Sequence, residues 1–202
     1  GIDVSSFQGE IDWDAVADDN IDFAMVRVGF RGTGTGSLNT DKYYEQNIRG
    51  AMRAGLETGV YFFAQAVTVE EAIEEADYVI SLLDGLDING PVAYDWEMHD
   101  STYRVYGTSP EMATACAVAF CQRIKDAGYT PMVYGGTYVT YMKYDQGALA
   151  DYLSWYPEYK SEKSEKLCPT LVYHMDYWQF SSSRAVAGIN GRVDMNIQFI
   201  RR

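Results

Sequence analysis

A chain of 202 residues is longer than one small core needs, and it suits a single α/β barrel, which runs to about 200 to 250 residues as one domain. Sixteen basic against 29 acidic side chains leave a net charge of −13, the wrong sign for a nucleic-acid binder, which needs a basic face to neutralise phosphates. No apolar run of 18 residues is present, so no membrane-spanning helix is expected, and no basic-then-apolar leader opens the chain.

Strand-like and helix-like stretches alternate from the first residue, the pattern of βα units around a mostly parallel sheet. Residues 2–5 read as the first strand and 23–30 as the second, with 60–64, 92–97 and 132–134 following, each apolar enough to be buried on both faces. Between them lie helices. Thr40 is placed to cap one that runs to about Ala54, with Tyr44, Ile48 and Met52 every fourth residue and Gly55 at its end. Thr68 and Glu71 form a capping box for the next, with Ala72, Ala76 and Val79 or Ile80 inward and Gly85 beyond. Thr108 and Glu111 repeat that device ahead of Met112, Cys116, Phe120 and Ile124, and Gly128 stops the helix.

After Tyr134 the pattern changes. Residues 152–156, 171–180 and 192–200 are strand-like, the segments between them lack helical periodicity, and 161–166, Ser-Glu-Lys-Ser-Glu-Lys, reads as a solvated loop. The expected architecture is therefore one irregular β/α barrel over 1–202, with eight strands, about five helices and the last three strands joined by loops. Cys116, Cys121 and Cys168 cannot all pair, and the first two share one helix. Buried free thiols are the simpler expectation, with a bridge from Cys121 to Cys168 as the alternative.

The fourth strand carries the chemistry. It ends in Tyr94-Asp95-Trp96-Glu97, and side chains two apart in a strand face the same way, with Cα atoms roughly 6.6 Å apart. Adjacent carboxylates repel and resist burial, whereas glycosidic cleavage uses such a pair, one as acid and the other as base, nucleophile or charge stabiliser. The Cα spacing is compatible with a retaining and with an inverting course, because the criterion concerns the carboxyl oxygens. Asp3 in the first strand and Asp194 in the last are neighbours once a barrel closes, so both can converge on the mouth with Asp95 and Glu97. Seventeen Tyr and four Trp suit sugars, which present C–H faces and hydroxyls together, although most aromatics fill cores.

Other signals carry less. Gly32, Gly34 and Gly36 match neither phosphate-binding spacing and read as a rim loop. His99 and His174 lack any zinc-site spacing, and His99, two residues after Glu97, reads as a rim residue. A cluster of four acids could also hold a divalent metal through oxygen ligands, but no metal or cofactor is expected.

Gly1-Ile2-Asp3-Val4-Ser5, Gln8-Gly9, Ile11-Asp12-Trp13, Asp95-Trp96-Glu97, Trp178-Gln179-Phe180 and Val193-Asp194-Met195-Asn196 together resemble glycoside hydrolase family 25, the lysozyme-type N-acetylmuramidases. The resemblance spans almost the whole chain. It implies a single catalytic domain that cleaves the β-1,4 bond between N-acetylmuramic acid and N-acetylglucosamine in peptidoglycan. Glu97 would be the general acid and Asp95 the stabiliser of an oxocarbenium-like transition state or of an oxazolinium, with Asp3 and Asp194 completing the cluster. Tyr61, Tyr134, Trp155, Trp178 and Gln179 would bind substrate. Many family members have a His where this chain has Phe62 or Phe63. The resemblance also implies a secreted or cell-wall-associated monomer. The alternative to catalysis is a binding module for cell-wall glycan that keeps the groove without cutting.

Overall fold

The structure, a computed structural model, describes residues 1–159 and 168–200; the charged segment 161–166 lies outside the described residues. Five α-helices and nine strands are present among them. In chain order these are β1 (Ile2–Val4), α1 (Trp13–Asp18), β2 (Phe23–Arg31), β3 (Leu38–Thr40), α2 (Tyr44–Arg53), β4 (Glu57–Ala64), α3 (Val69–Leu82) and β5 (Val92–Trp96). They continue as α4 (Pro110–Asp126), β6 (Pro131–Tyr134), α5 (Thr137–Met142), β7 (Leu153–Pro157), β8 (Tyr177–Arg184) and β9 (Val193–Gln198).

Eight strands close a barrel in the order β1, β2, β4, β5, β6, β7, β8, β9, and β3 hangs on the outer edge of β2. Neighbours from β1 through β8 are parallel, while β9 runs antiparallel to both β8 and β1. Alternation along each strand sorts the side chains into two cores. Phe23, Met25, Ala93, Met132, Tyr134, Trp155 and Tyr177 fill the barrel interior. Outside the wall, Val26, Val60, Phe62, Tyr94 and Trp96 meet Ile48, Ala76, Val79, Phe120 and Ile124 from the helices. Each such side chain taken out of water contributes roughly 1.5 to 3 kcal/mol before entropy is counted.

The long helices are amphipathic as expected, but two of their starts differ. Thr40 ends β3 instead of capping α2, and no side chain caps that helix. Ser109, not Thr108, caps α4 by accepting from the Met112 N–H, with Pro110 next in the first turn, where a missing N–H costs nothing. Thr68 does cap α3. Its expected partner Glu71 reaches one residue further back, to the Val67 N–H, and takes Arg104 at 2.7 Å.

Strand β8 begins at Tyr177, six residues later than expected, since the stretch before it is irregular. The short α1 shows no periodicity and is secured by its ends: the Asp12 carboxylate accepts from the Ala15 N–H, and Trp13 packs on Gly50 so closely that any Cβ there would collide with the indole. All three cysteines are free, Cys116 and Cys121 buried and Cys168 exposed. Among the described residues no helix is long and apolar enough to cross a membrane.

Candidate active site

The site grows out of the alternation in β5. Tyr94 and Trp96 point outward, Tyr94 against Phe120 with ring centroids 4.8 Å apart and Trp96 donating its indole N–H to the Ala66 carbonyl at 3.1 Å. Asp95, between them, therefore points into the barrel, where it is 6 % exposed and, among the described residues, its Oδ1 has no hydrogen-bond partner. Glu97 follows just past the strand end. Its carbonyl accepts from the buried Gln65 Nε2 at 2.8 Å, and Gln65 is itself held through its N–H on Glu75 Oε1 and its carbonyl on Arg104. Glu75 in turn pairs with Arg31 at 2.7 Å, both out of solvent. A chain of buried polar contacts from α3 thus fixes the backbone that carries the acid.

Asp3 and Asp194 face each other across the β1–β9 ladder. Asp3 Oδ2 accepts from Gln179 Nε2 and from Asn196 Nδ2, each at 2.8 Å. Those amides are oriented from behind: Gln179 Oε1 accepts from the hydroxyls of Tyr134 and Tyr159, and Asn196 Oδ1 accepts from the Trp155 indole at 2.8 Å. Asp3, Asp95, Glu97 and Asp194 line one cavity of about 160 Å³ at the mouth, walled by Tyr61, Tyr134, Trp155, Tyr159 and Gln179.

The electrostatics follow from burial. Asp95 is pushed well above the usual carboxylate range, first by desolvation and then by the charges of Glu97 and Asp3 and a hydrogen bond with Glu97, with Arg27 pulling the other way. Desolvation and the neighbouring Asp194 lift Asp3 to about 7 against the two amide hydrogen bonds. Asp194 rises to about 6 by desolvation and the charge of Glu97. Asp3, Asp95 and Asp194 are raised together, so these three do not all ionise near neutrality. Burial also holds the Tyr61 and Tyr134 hydroxyls protonated, as donors. An unpartnered carboxyl oxygen beside proton-sharing acids in a solvent-open pocket is equipped to exchange a proton with a bound polar molecule and to stabilise positive charge.

The family model for glycosyl hydrolases family 25 matches residues 2–189. The chain belongs to that family. Membership makes this a glycoside hydrolase domain, in agreement with the barrel and its acids. A relative from Clostridium acetobutylicum, an autolytic lysozyme, is 26 % identical over 197 residues, covering 97 % of this chain and 54 % of its own. The chain thus spans about half the length of that relative. The crystal structure of a bacterial lysozyme from Streptomyces coelicolor superposes with a TM-score of 0.78 at 25 % identity, over 98 % of this chain and 90 % of that one. The modular autolysin LytC from Streptococcus pneumoniae, solved with a synthetic peptidoglycan ligand, gives 0.79 at 26 % identity over 98 % of this chain and 46 % of that one.

Within this family-25 domain, eight of the nine residues singled out by sequence meet at the mouth. Trp178 does not. It alternates with Tyr177 and Gln179, points out of the barrel and donates its indole N–H to the Glu158 carbonyl at 3.0 Å. Phe62, one of the two positions where a His is common, also points outward, onto Tyr78. Sequence reasoning missed Tyr159, in the loop after β7, and gave no role to Asn196, although that residue belongs to the quoted motif and stands two residues after Asp194, on the same strand face. It undervalued His99, whose Nε2 lies 2.7 Å from Glu97 Oε2. Among the described residues no three His, Cys, Asp or Glu are placed to hold a metal ion. A larger hollow of about 320 Å³, bounded by Tyr144, Leu149, Tyr152 and Leu171, contains none of the four acids.

Proposed function

We propose that this domain hydrolyses the β-1,4 bond between N-acetylmuramic acid and N-acetylglucosamine in peptidoglycan, acting as a monomer at the cell wall. The observation that carries the reading is the convergence of Asp3, Asp95, Glu97 and Asp194 on one mouth in a chain of family 25. Relatives named as lysozyme and autolysin support the choice of substrate.

Glu97 is the general acid. Of the strand-five pair it is the member that reaches outward, its side chain 22 % exposed, and it borders both the acid cavity and an adjoining groove of about 340 Å³. In the reaction Glu97 gives its proton to the glycosidic oxygen as the bond from that oxygen to the anomeric carbon breaks, so the leaving sugar departs as an alcohol. Asp95 faces the electron-poor sugar from the barrel floor. Positive charge at the anomeric carbon or on an oxazolinium favours the ionised form of Asp95 as it develops, and the proton Asp95 gives up passes to Glu97, to which it is hydrogen-bonded and which has just lost its own. Asp3 and Asp194 add negative potential, and the amide clamp on Asp3 holds it in place. Water completes the reaction, its oxygen bonding to the anomeric carbon and its proton returning to the carboxyl pair.

The test is Glu97→Gln, which keeps size and hydrogen bonding but has no acidic proton. It should abolish clearing of a cell-wall suspension, a loss of at least about 1,000-fold, while circular dichroism stays that of the parent. Mass spectrometry of digested peptidoglycan should show new reducing ends on muramic acid. Clearing by the variant at the parental rate would refute the assignment of the acid, and sedimentation with walls without any new reducing ends would replace catalysis by binding.

A further inference from the structure

His99 is not part of the acid cavity, yet it makes a close side-chain contact to the proposed acid. Its Nε2 lies 2.7 Å from Glu97 Oε2, with the imidazole 64 % exposed at the rim. The ring is not a loose surface group, since it meets Tyr103 edge-on with centroids 5.3 Å apart, and it lines the groove that adjoins the acid cavity. Among the described residues, the other titratable groups near Glu97 are acids and phenols. Asp95 from β5, Asp3 from β1 and Asp194 from β9 are acidic, and Tyr134 of β6, Tyr159 after β7 and Tyr103 after β5 are neutral or acidic. Asp100 lies beside His99 itself. Arg27, a cation that acts on Asp95, is engaged with Asp41 at 2.8 Å.

We propose that His99 is a positioning residue for Glu97, which holds the acid's carboxyl at the outer edge of the cavity, toward the groove. The inference rests on Glu97 being the acid. Asp95 reaches Glu97 from the barrel side and His99 from the rim, so the carboxyl is fixed between the two. An imidazole N–H donates to a carboxyl oxygen whether the ring is charged or neutral, so the contact does not depend on ionisation.

Two substitutions separate the contact from the ring, and neither removes a buried group. His99→Phe removes the hydrogen bond but keeps a ring against Tyr103; it should lower kcat by about 10-fold with KM little changed, because a misplaced reacting group is felt mainly in the transition state. His99→Gln keeps a neutral donor and should restore much of that kcat. A kcat unchanged in His99→Phe, a loss confined to KM, or a loss that His99→Gln shares in full would overturn the proposal. Glu97→Gln run beside them keeps the two readings distinct: an inactive Glu97→Gln with an unchanged His99→Phe sinks only the role of His99, whereas an active Glu97→Gln sinks the acid assignment itself.

Discussion

Replacing Asp3 by Asn should make the protein more stable and less active, and the gain in stability should depend on pH in a defined way. Asp3 is buried, faces Asp194 and has its carboxyl lifted from 3.8 to about 7. A carboxyl raised in the fold keeps its proton there after the unfolded chain has lost its own, so its contribution is fully present below the unfolded value of 3.8 and is lost as pH climbs through about 7. Three units at about 1.4 kcal/mol each give an upper bound of about 4 kcal/mol, and sharing of the proton with Asp194 brings the expectation for Asp3 alone to roughly 2 kcal/mol. Asn supplies a neutral amide whose oxygen can still accept from Gln179 and Asn196, which hold Asp3 Oδ2 now. Urea unfolding at pH 4, 6 and 8 would therefore show Asp3→Asn and parent alike at pH 4 and the variant about 2 kcal/mol ahead at pH 8, a rise in Tm of roughly 4 to 8 °C. Wall-clearing activity should fall over the same range. A stability difference that does not change with pH, or a variant less stable than the parent at pH 8, would refute the claim that the mouth stores charge repulsion.

Gln65→Leu removes the amide that holds the Glu97 carbonyl while keeping the buried volume, and should lower kcat by about 10-fold or more with KM little changed, because misplacement of a reacting group is felt mainly in the transition state. Single-turnover rates on a soluble glycan fragment would check it; an unchanged kcat would mean that the β5 end is fixed without Gln65. Arg31→Ala strands the buried Glu75 carboxyl and should cost about 3 to 5 kcal/mol of stability near neutral pH. Glu75, lifted to about 7 by its burial, can take up a proton instead, so the cost measured by denaturant unfolding should shrink at pH 5. A loss that is equal at both pH values would show that Arg31 acts only by packing.

The parts of the fold legible in the sequence are those that bury strongly patterned surface. The strands before Tyr134 stand out because both faces are covered and their residues are apolar throughout, and α3 and α4 because one stripe must meet the barrel wall. Elements held by individual contacts were not legible: α1 depends on Asp12 and on the absence of a side chain at Gly50, and β3 is three residues long and exists only by pairing with β2. Capping signals proved ambiguous where two candidates were adjacent, as Thr108 and Ser109 are, since only backbone geometry decides which oxygen reaches the third N–H. In the site, the four acids were readable because an acid in an apolar strand is anomalous. Trp178 was misplaced because sequence resemblance marks a position without stating which face of β8 it occupies, while alternation with Gln179 already required the opposite face. Tyr159 and the Gln65 relay carry no local signal, because their value comes from residues 20 and 32 positions away.

The reversal of β9 is what makes a four-acid mouth geometrically possible. Asp194 is the second residue of a six-residue strand. Were β9 parallel to its neighbours, its first residues would lie at the closed end of the barrel, and about 13 Å of strand would separate Asp194 from the far end. Running antiparallel to β1, it places Asp194 beside Asp3 instead, and Asn196, two residues on and on the same face, arrives within reach of the same carboxyl at 2.8 Å. The remaining acids need no reversal, since β1 is only three residues long and Asp95 and Glu97 stand at the C-terminal end of a parallel strand. The closing strand thus supplies both the repulsion that raises Asp3 and the amide that partly relieves it. Balanced in that way, Asp3, Asp95 and Asp194 keep protons that isolated carboxyls would have lost, so the pocket carries less negative charge than its acids alone would give it.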